Sequence, residues 1–386
     1  MGVILIRYGE LFLKGDNKCY FEKVLLNNIR HSLDGFTFKL KKLQGRYLLS
    51  DFEEKNELQI INKLQKVAGL HSISSAYEMN TDIEEIKKYV GSLTFADTTF
   101  KVIVNRADKT FSILSTNFAA ILGGVVLDNN PKAKVDVHNP QKELYVDIRE
   151  HGKTYIFFNI IKCMGGMPVS TSGRGLVMIS GGIDSPVAGY MMTKRGMSLS
   201  AIHFQSFPYT GVLAKEKVIK LTNIVSEYAG HINLYVVSFT KIQEAIHKNC
   251  KCEYMIIIMR RIMMRIACRL AKEKGIGGII TGESLAQVAS QTIESITVTN
   301  AVATIPVLRP LIGFDKIEIM DIARKIGTYE TSILPYEDCC TVFLPDHPLI
   351  KPKVRLVEEE ESKLDIENLI NEALSTIETI FIPVEI

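Results

Sequence analysis

The sequence predicts an α/β protein in which a doubly wound, mostly parallel sheet follows a smaller α+β half. Three observations predict it. From Leu176 onward, short apolar runs alternate with helix-length amphipathic stretches, the succession that builds parallel sheets. The first of these runs ends in a glycine loop and resumes as a helix around Pro186, a residue suited to a first helical turn. Before residue 160 the apolar runs come in close pairs between single helices, as antiparallel modules require.

Taken in order, residues 3–6 (VILI) read as a strand. Gly15 and Asp16 form a turn, and Asp16 or Asn17 caps a helix over 18–33. Strands at 36–40 and 46–49, a helix over 57–67 and a strand at 73–77 complete a βαββαβ order, that of ferredoxin-like domains. A second module begins near Thr81, with a helix through Ile83, Ile86 and Val90 and a strand at 100–105. A helix over 117–127 and strands at 134–137, 144–149 and 154–160 follow. Lys162 to Gly175 (KCMGGMPVSTSGRG) reads as a linker. Beyond it, strands at 176–179, 199–204, 233–238 and 277–281 alternate with helices at 186–195, 213–230, 241–249, 253–274 and 284–290. Residues 351–386 hold a basic start, Glu358 to Glu361 and a short apolar-periodic helix. The expected domains are 1–78, 79–165 and 166–386.

At 386 residues and 46% hydrophobic content, the chain supplies two or three cores. No apolar run is long enough to span a membrane, and the N-terminus lacks a signal-peptide layout. Seven scattered cysteines without a CxxC pair give no zinc ribbon and fit a reducing, cytoplasmic location. Cys19 and Cys268 read as core residues. The net charge of +3 excludes little, but residues 1–50 carry nine Lys/Arg against four Asp/Glu. That bias suits a phosphate backbone as partner, or equally a solvated face.

The segment GLVMISGGIDSPVAGYMM, 175–192, carries the most chemistry. Gly181 and Gly182 let backbone N–H groups approach an anion, and the helix that follows adds its dipole. No Lys or Arg lies between Gly175 and Lys194, so this is not a Walker A loop. SGGIDS resembles the pyrophosphate loop of the PP-loop ATP pyrophosphatases, which cleave ATP to AMP and pyrophosphate and adenylate a substrate.

With RYGELFLKG, VNRADKTF, GGMPVSTSG, TGESLAQVASQT and PYEDCCTVF in the same order along the chain, the sequence resembles the ThiI family of tRNA 4-thiouridine synthetases. The resemblance implies a ferredoxin-like domain, a THUMP RNA-binding domain and a PP-loop domain. It implies ATP as cosubstrate, a uridine O4-adenylate in tRNA, and a persulfide sulfur that displaces AMP. It further implies a homodimer. The chain stops too soon for the rhodanese domain some members carry, so a cysteine desulfurase is expected to load the sulfur, and sulfur transfer to a thiamine-pathway carrier protein is an alternative function. Ala286 stands where the family usually has glycine.

Asp184 beside a phosphate loop calls for a cation, and Mg²⁺ between the carboxylate and pyrophosphate supplies it; an N-cap role is the alternative. Ser180 and Ser185 offer hydroxyls to pyrophosphate. Met178 and Ile179 end the strand with their backbone toward the adenosine. The resemblance adds His203 and Phe204 at the next strand end, and Gly282 and Gln291, as ATP contacts; residue type alone would make them structural. On the helix 253–274, Arg261, Arg265 and Arg269 form one polar stripe, whereas Arg260 has apolar helical neighbours. It is therefore read as a phosphate ligand or one half of an internal salt bridge. Cys340 is the persulfide candidate, Cys339 a resolving neighbour, and a buried inert pair the bland alternative. Arg106 and Lys109 are the expected tRNA contacts. Two other functions remain open on the sequence: a PP-loop enzyme adenylating a small molecule, and an RNA-binding protein that keeps the fold as scaffold.

Overall fold

Residues 70–80 form one strand of 11 residues, and it organises the first half of the chain. The computed structural model describes residues 2–336 and 349–384. They divide into two compact units, 1–14 with 29–165, and 15–28 with 166 onward.

In the first unit, β1 (Gly2–Tyr8), α1 (Lys18–Ser32, of which only the end belongs here), β2 (Lys39–Leu43), β3 (Arg46–Ser50), α2 (Glu57–Gln65) and β4 (Leu70–Asn80) follow the expected βαββαβ order. The run Val3–Ile6 is continuous in apolar residues, and all four are buried. Then come α3 (Ile83–Gly91), β5 (Thr99–Arg106), α4 (Ser115–Asn129), β6 (Lys134–Val135), β7 (Lys142–Arg149), β8 (Lys153–Phe157) and β9 (Ile161–Lys162). Asp82 caps α3 by accepting from the Glu85 N–H. All the strands join one nine-stranded sheet, ordered β2-β3-β1-β4-β8-β7-β5-β6, with β9 also on β4. One edge of β4 pairs with β1 from Leu70 to Tyr77; its other edge pairs with β9 at Ser72 and Ile73, then with β8 from Tyr77 to Asn80. Two apparent modules therefore share a strand. Val3, Leu5 and Leu48 pack with Tyr155 and Phe157 across that join, and Arg46 of β3 pairs with buried Asp147 of β7.

The second unit contains β10 (Arg174–Met178), α5 (Asp184–Lys194), β11 (Ser198–Gln205), α6 (Val212–Ala229), β12 (Ile232–Ser238), α7 (Thr240–Asn249), α8 (Met255–Glu273) and β13 (Gly278–Ile280). After these come α9 (Ile293–Asn300), β14 (Val307–Leu308), α10 (Lys316–Ile326), α11 (Tyr329–Ser332), α12 (Val354–Glu361), α13 (Ile366–Ser375) and β15 (Glu378–Ile382). The six-stranded sheet runs β14-β13-β10-β11-β12-β15 and is parallel except for β15, which pairs antiparallel with β12. The short edge strands β14 and β15 are additions to the sequence reading. The chain moves outward from β10 through β11 to β12, then returns by α8 to β13 on the other side of β10. That reversal makes a crevice at the carboxyl ends of β10 and β13, where such sheets bind ligands.

The predicted helix over 284–290 does not form. Residues 282–288 are a loop, Ala289–Gln291 a single 3₁₀ turn, and the helix begins only at Ile293, capped by Thr292. Gly282 packs so closely on the start of α5 that a Cβ there would lie 2.8 Å from the Asp184 carbonyl carbon. Ala286 has φ +62°, a left-handed conformation that breaks any helix through it.

The arginine stripe on α8 grades from core to surface: Arg261 is 1% exposed and makes a bidentate pair with Glu361 at 2.8 and 2.9 Å, while donating to Val298 O at 2.8 Å, whereas Arg269 is 34% exposed and pairs with Glu367. Arg265 binds the same carboxylate at 2.9 Å. A buried cation needs such a partner, and Glu361 lies 100 residues away in sequence. Cys268 is buried as expected, whereas Cys19 is exposed.

Candidate nucleotide-binding site

The loop after β10 is held by its own serines. The Ser180 N–H donates to Ser185 Oγ at 2.9 Å, the two hydroxyls lie 3.2 Å apart, and the Gly182 N–H donates to Ser180 Oγ at 3.3 Å. Ser332, at the end of α11, donates to Gly182 O at 3.3 Å. These bonds fix the backbone around Gly181 and Gly182 at the N-terminus of α5. Met178 is the last residue of β10; the Ile179 N–H continues the ladder to Ile202 O at 2.9 Å. Ile179 O lies 3.1 Å from Nδ1 of buried His203. Successive strand residues face opposite sides, and the Phe204 ring is packed edge-on against Phe239, 5.3 Å between centroids, in the core around α8.

Asp184 is the first residue of α5, not its cap: Ile183 holds that position, without a side-chain capping bond. Instead the Asp184 carboxylate faces across the crevice. Lys316 Nζ lies 2.6 Å from Oδ1, and Gln287 Nε2 donates to Oδ2 at 2.9 Å. Lys316 opens α10, where the Asp315–Glu318 capping box starts the helix. A cation in a first helical turn opposes the helix dipole, and that local mismatch is the signal by which the sequence could have pointed to Lys316.

Glu283, beside Gly282, gathers a second group of charges. Its buried carboxylate pairs with Arg260, accepts from Arg309 Nε at 2.7 Å and accepts from the Thr281 hydroxyl at 2.8 Å. Burial alone would raise this carboxyl, but Arg260 and Arg309 hold it below its usual range. Arg260 also donates to Ser290 O at 2.5 Å, so its internal salt bridge is real. Its side chain remains 19% exposed, so the pair does not seal it from the crevice. Gln291 ends the 3₁₀ turn, and its carbonyl accepts from the Ala286 N–H at 3.0 Å. Arg309, Gln287 and Lys316 are the residues that sequence reasoning missed here.

The structure thus brings the loop of Ser180, Gly181 and Gly182 together with Asp184, Ser185 and Gly282, with Ile179 and His203 behind them. Arg106 and Lys109 belong to the first unit, Arg106 as the last residue of β5 and Lys109 on the turn after it. Arg106 Nη1 donates to Phe111 O at 2.9 Å, and Lys109 is exposed. Cys339 and Cys340 lie outside the described residues.

A family profile described as "Thiamine biosynthesis protein (ThiI)" matches residues 170–366, which is half of the chain. The chain belongs to the ThiI family. The ThiI ferredoxin-like domain profile matches residues 3–74 and the THUMP domain profile residues 80–158. Both fall within the nine-stranded sheet, so in this ThiI chain β4 serves both regions. A "Probable tRNA sulfurtransferase" of Acetivibrio thermocellus is 47% identical over 388 aligned positions, covering 98% of each chain. Another, from Caldanaerobacter subterraneus subsp. tengcongensis, is 48% identical and covers 96% of this chain and 97% of its own. Among solved structures, a 4-thiouridine synthetase–RNA complex with bound ATP superposes with a TM-score of 0.88 and 36% identity, over 99% of this ThiI chain and all of that one. PH1313 from Pyrococcus horikoshii superposes at 0.64 with 25% identity, over 85% of this chain. No described helix is long and apolar enough to cross a membrane.

Proposed function

We propose that this protein is an ATP-dependent tRNA sulfurtransferase that converts a uridine of tRNA to 4-thiouridine. One observation carries the reading: a glycine–serine phosphate loop, with Asp184 at its helix start, sits at the reversal point of a parallel sheet in a chain similar end to end to a 4-thiouridine synthetase that binds RNA and ATP. Residues 79–165 are assigned to RNA recognition, with Arg106 and Lys109 on phosphates, and 166–386 to the chemistry; residues 1–78 are the ferredoxin-like part.

The backbone N–H groups at Gly181 and Gly182 and the Ser180 and Ser185 hydroxyls receive the pyrophosphate part of ATP. Met178, Ile179, His203, Phe204, Gly282 and Gln291 frame the nucleoside, the strand-end residues through their backbone. Arg260 and Lys316 present cations to phosphate oxygens. The donors present fit Mg²⁺, which favours one or two carboxylates together with phosphate oxygens and water; Asp184 would hold it. When bound, the metal neutralises charge on the leaving pyrophosphate. Uridine O4 attacks the α-phosphorus and pyrophosphate leaves. The terminal sulfur of a Cys340 persulfide then adds at C4 and AMP departs. A thiol, Cys339 or one from solution, attacks Cys340 Sγ, breaking the S–S bond to free 4-thiouridine and leaving a disulfide for an external thiol to reduce, or attacks first and releases sulfide that adds at C4 instead. A cysteine desulfurase is the proposed sulfur source, and the working form is a cytoplasmic homodimer.

The test is incubation of the full chain with tRNA, ATP, Mg²⁺ and a sulfide source, reading AMP and 4-thiouridine separately. Wild type is expected to form both, and Cys340→Ser with a persulfide donor to form AMP without thiolated tRNA. AMP formation on a small acid or amide, with tRNA inert, would assign the chain to the alternative PP-loop chemistry.

A further inference from the structure

Gln287 stands on the loop between β13 and α9, where no strand or helix fixes its side chain. Its Nε2 donates 2.9 Å to Asp184 Oδ2, while Lys316 takes the other carboxylate oxygen. The carboxylate cannot donate, so this bond sets the orientation of the amide: nitrogen toward Asp184, Oε1 away. Oε1 is buried and has no hydrogen-bond partner among the described residues. A buried carbonyl without a donor is costly, and native structures keep few of them. The same loop holds a second such atom, Gln291 Oε1. The loop is not slack around them: Gly282 is pressed on α5, Ala286 is held at φ +62° with its N–H on Gln291 O, and the Gln287 N–H reaches back to Ser284 O at 3.4 Å. Its backbone therefore holds beside Asp184 an acceptor that no described residue satisfies.

We propose that Gln287 is a positioning residue for the metal–nucleotide complex. Its amide nitrogen fixes the Asp184 carboxylate against the pull of Lys316, and its amide oxygen accepts from a donor that arrives with the bound complex. This deepens the proposed function and rests on Asp184 serving the metal. Nucleotides of this class bring two kinds of donor, ribose hydroxyls and metal-bound water. Placement beside Asp184 selects the water, because Mg²⁺ keeps much of its water shell when protein-bound. A role of this kind is separable from folding. It favours ATP with its metal over ATP alone, whereas a purely structural side chain would affect both alike.

The experiment is calorimetric titration of the full chain with ATP in excess Mg²⁺ and with ATP in EDTA, together with Mn²⁺ spectroscopy of the ATP complex. Gln287→Leu is expected to weaken the metal form by about tenfold, the scale of one hydrogen bond to a charged group, and to leave ATP in EDTA within about twofold. Gln287→Asn, which retains the amide on a shorter stem, covers the case in which leucine disturbs the loop; the same selective loss is expected. Equal weakening of both forms, or none, by a folded variant overturns the proposal. Asp184→Asn separates the two levels. If it abolishes the metal's contribution while Gln287→Leu does not, Gln287 has no positioning role; if it too retains that contribution, the reading of Asp184 itself falls.

Discussion

Lys316 and Asp184, 132 residues apart in sequence, meet at 2.6 Å as the first residues of two helices that open on the same crevice. The ion pair holds both charges at the place where a phosphate chain and its cation would divide them. It is part-exposed, so it contributes no more than about 1 kcal/mol to folding.

Lys316→Met is therefore expected to melt within a few degrees of wild type, yet to lose pyrophosphate release by about a hundredfold, the scale of one charged phosphate contact. Calorimetric melting beside an ATP–tRNA pyrophosphate assay checks both halves. A variant that releases pyrophosphate at the wild-type rate removes Lys316 from the site.

The Glu283 cluster makes a pH prediction. Burial raises this carboxyl, but Arg260 and Arg309 outweigh it and hold the folded-state value below the unfolded one. The resulting stabilisation is complete above the ordinary carboxylate range, about pH 4–5, and is lost as pH falls through the lowered folded value. Glu361, lowered by Arg265 and Arg261 against its burial, acts in the same sense. Urea midpoints of wild type are expected to fall steeply below about pH 4, and Glu283→Gln to flatten that slope while costing about 3 kcal/mol at neutral pH.

Arg261 and Glu361 test the buried pair itself. Removing the bidentate partner by Glu361→Gln leaves an arginine that is 1% exposed with only the more distant Glu358, at 3.5 Å, as counter-charge among the described residues, and is expected to cost about 3 kcal/mol. Replacing both, as Arg261→Met with Glu361→Leu, is expected to recover part of that loss. Denaturant midpoints of the two variants decide; a double variant worse than the single one would show that Arg265 depends on the pair more than packing can replace.

Ala286 occupies a left-handed position that glycine enters without the Cβ penalty. Ala286→Gly is expected to stabilise the second unit by up to about 1 kcal/mol, the left-handed cost less the extra chain entropy of glycine, and Ala286→Val to destabilise it. Thermal melting of both checks the direction.

Much of this was legible in the sequence. The βαββαβ order, the glycine loop and the parallel succession all follow from periods of two and 3.6 and from turn residues, which act locally. What escaped was decided at a distance. SLAQVAS reads as a helix, but the close approach of Gly282 to α5 and the left-handed Ala286 prevent one. The burial of Arg261 within the polar stripe had no local signal because its counter-charge, Glu361, lies on a helix far along the chain. Lys316 and Gln287 gain meaning only from the sheet reversal that sets their loops against Asp184. β14, two residues long, has no period to read.

The strand β4 has a consequence for how the first half of the molecule can be divided. Its residues 70–77 are the inner wall of one region and 77–80 the opening rung of the next. A cut near residue 79 does not release two cassettes. It strips β8 of its neighbour and exposes an open sheet edge, a template for association with other chains. The THUMP region of such a protein is expected to melt together with the sheet before it, as one cooperative body rather than as beads on a string.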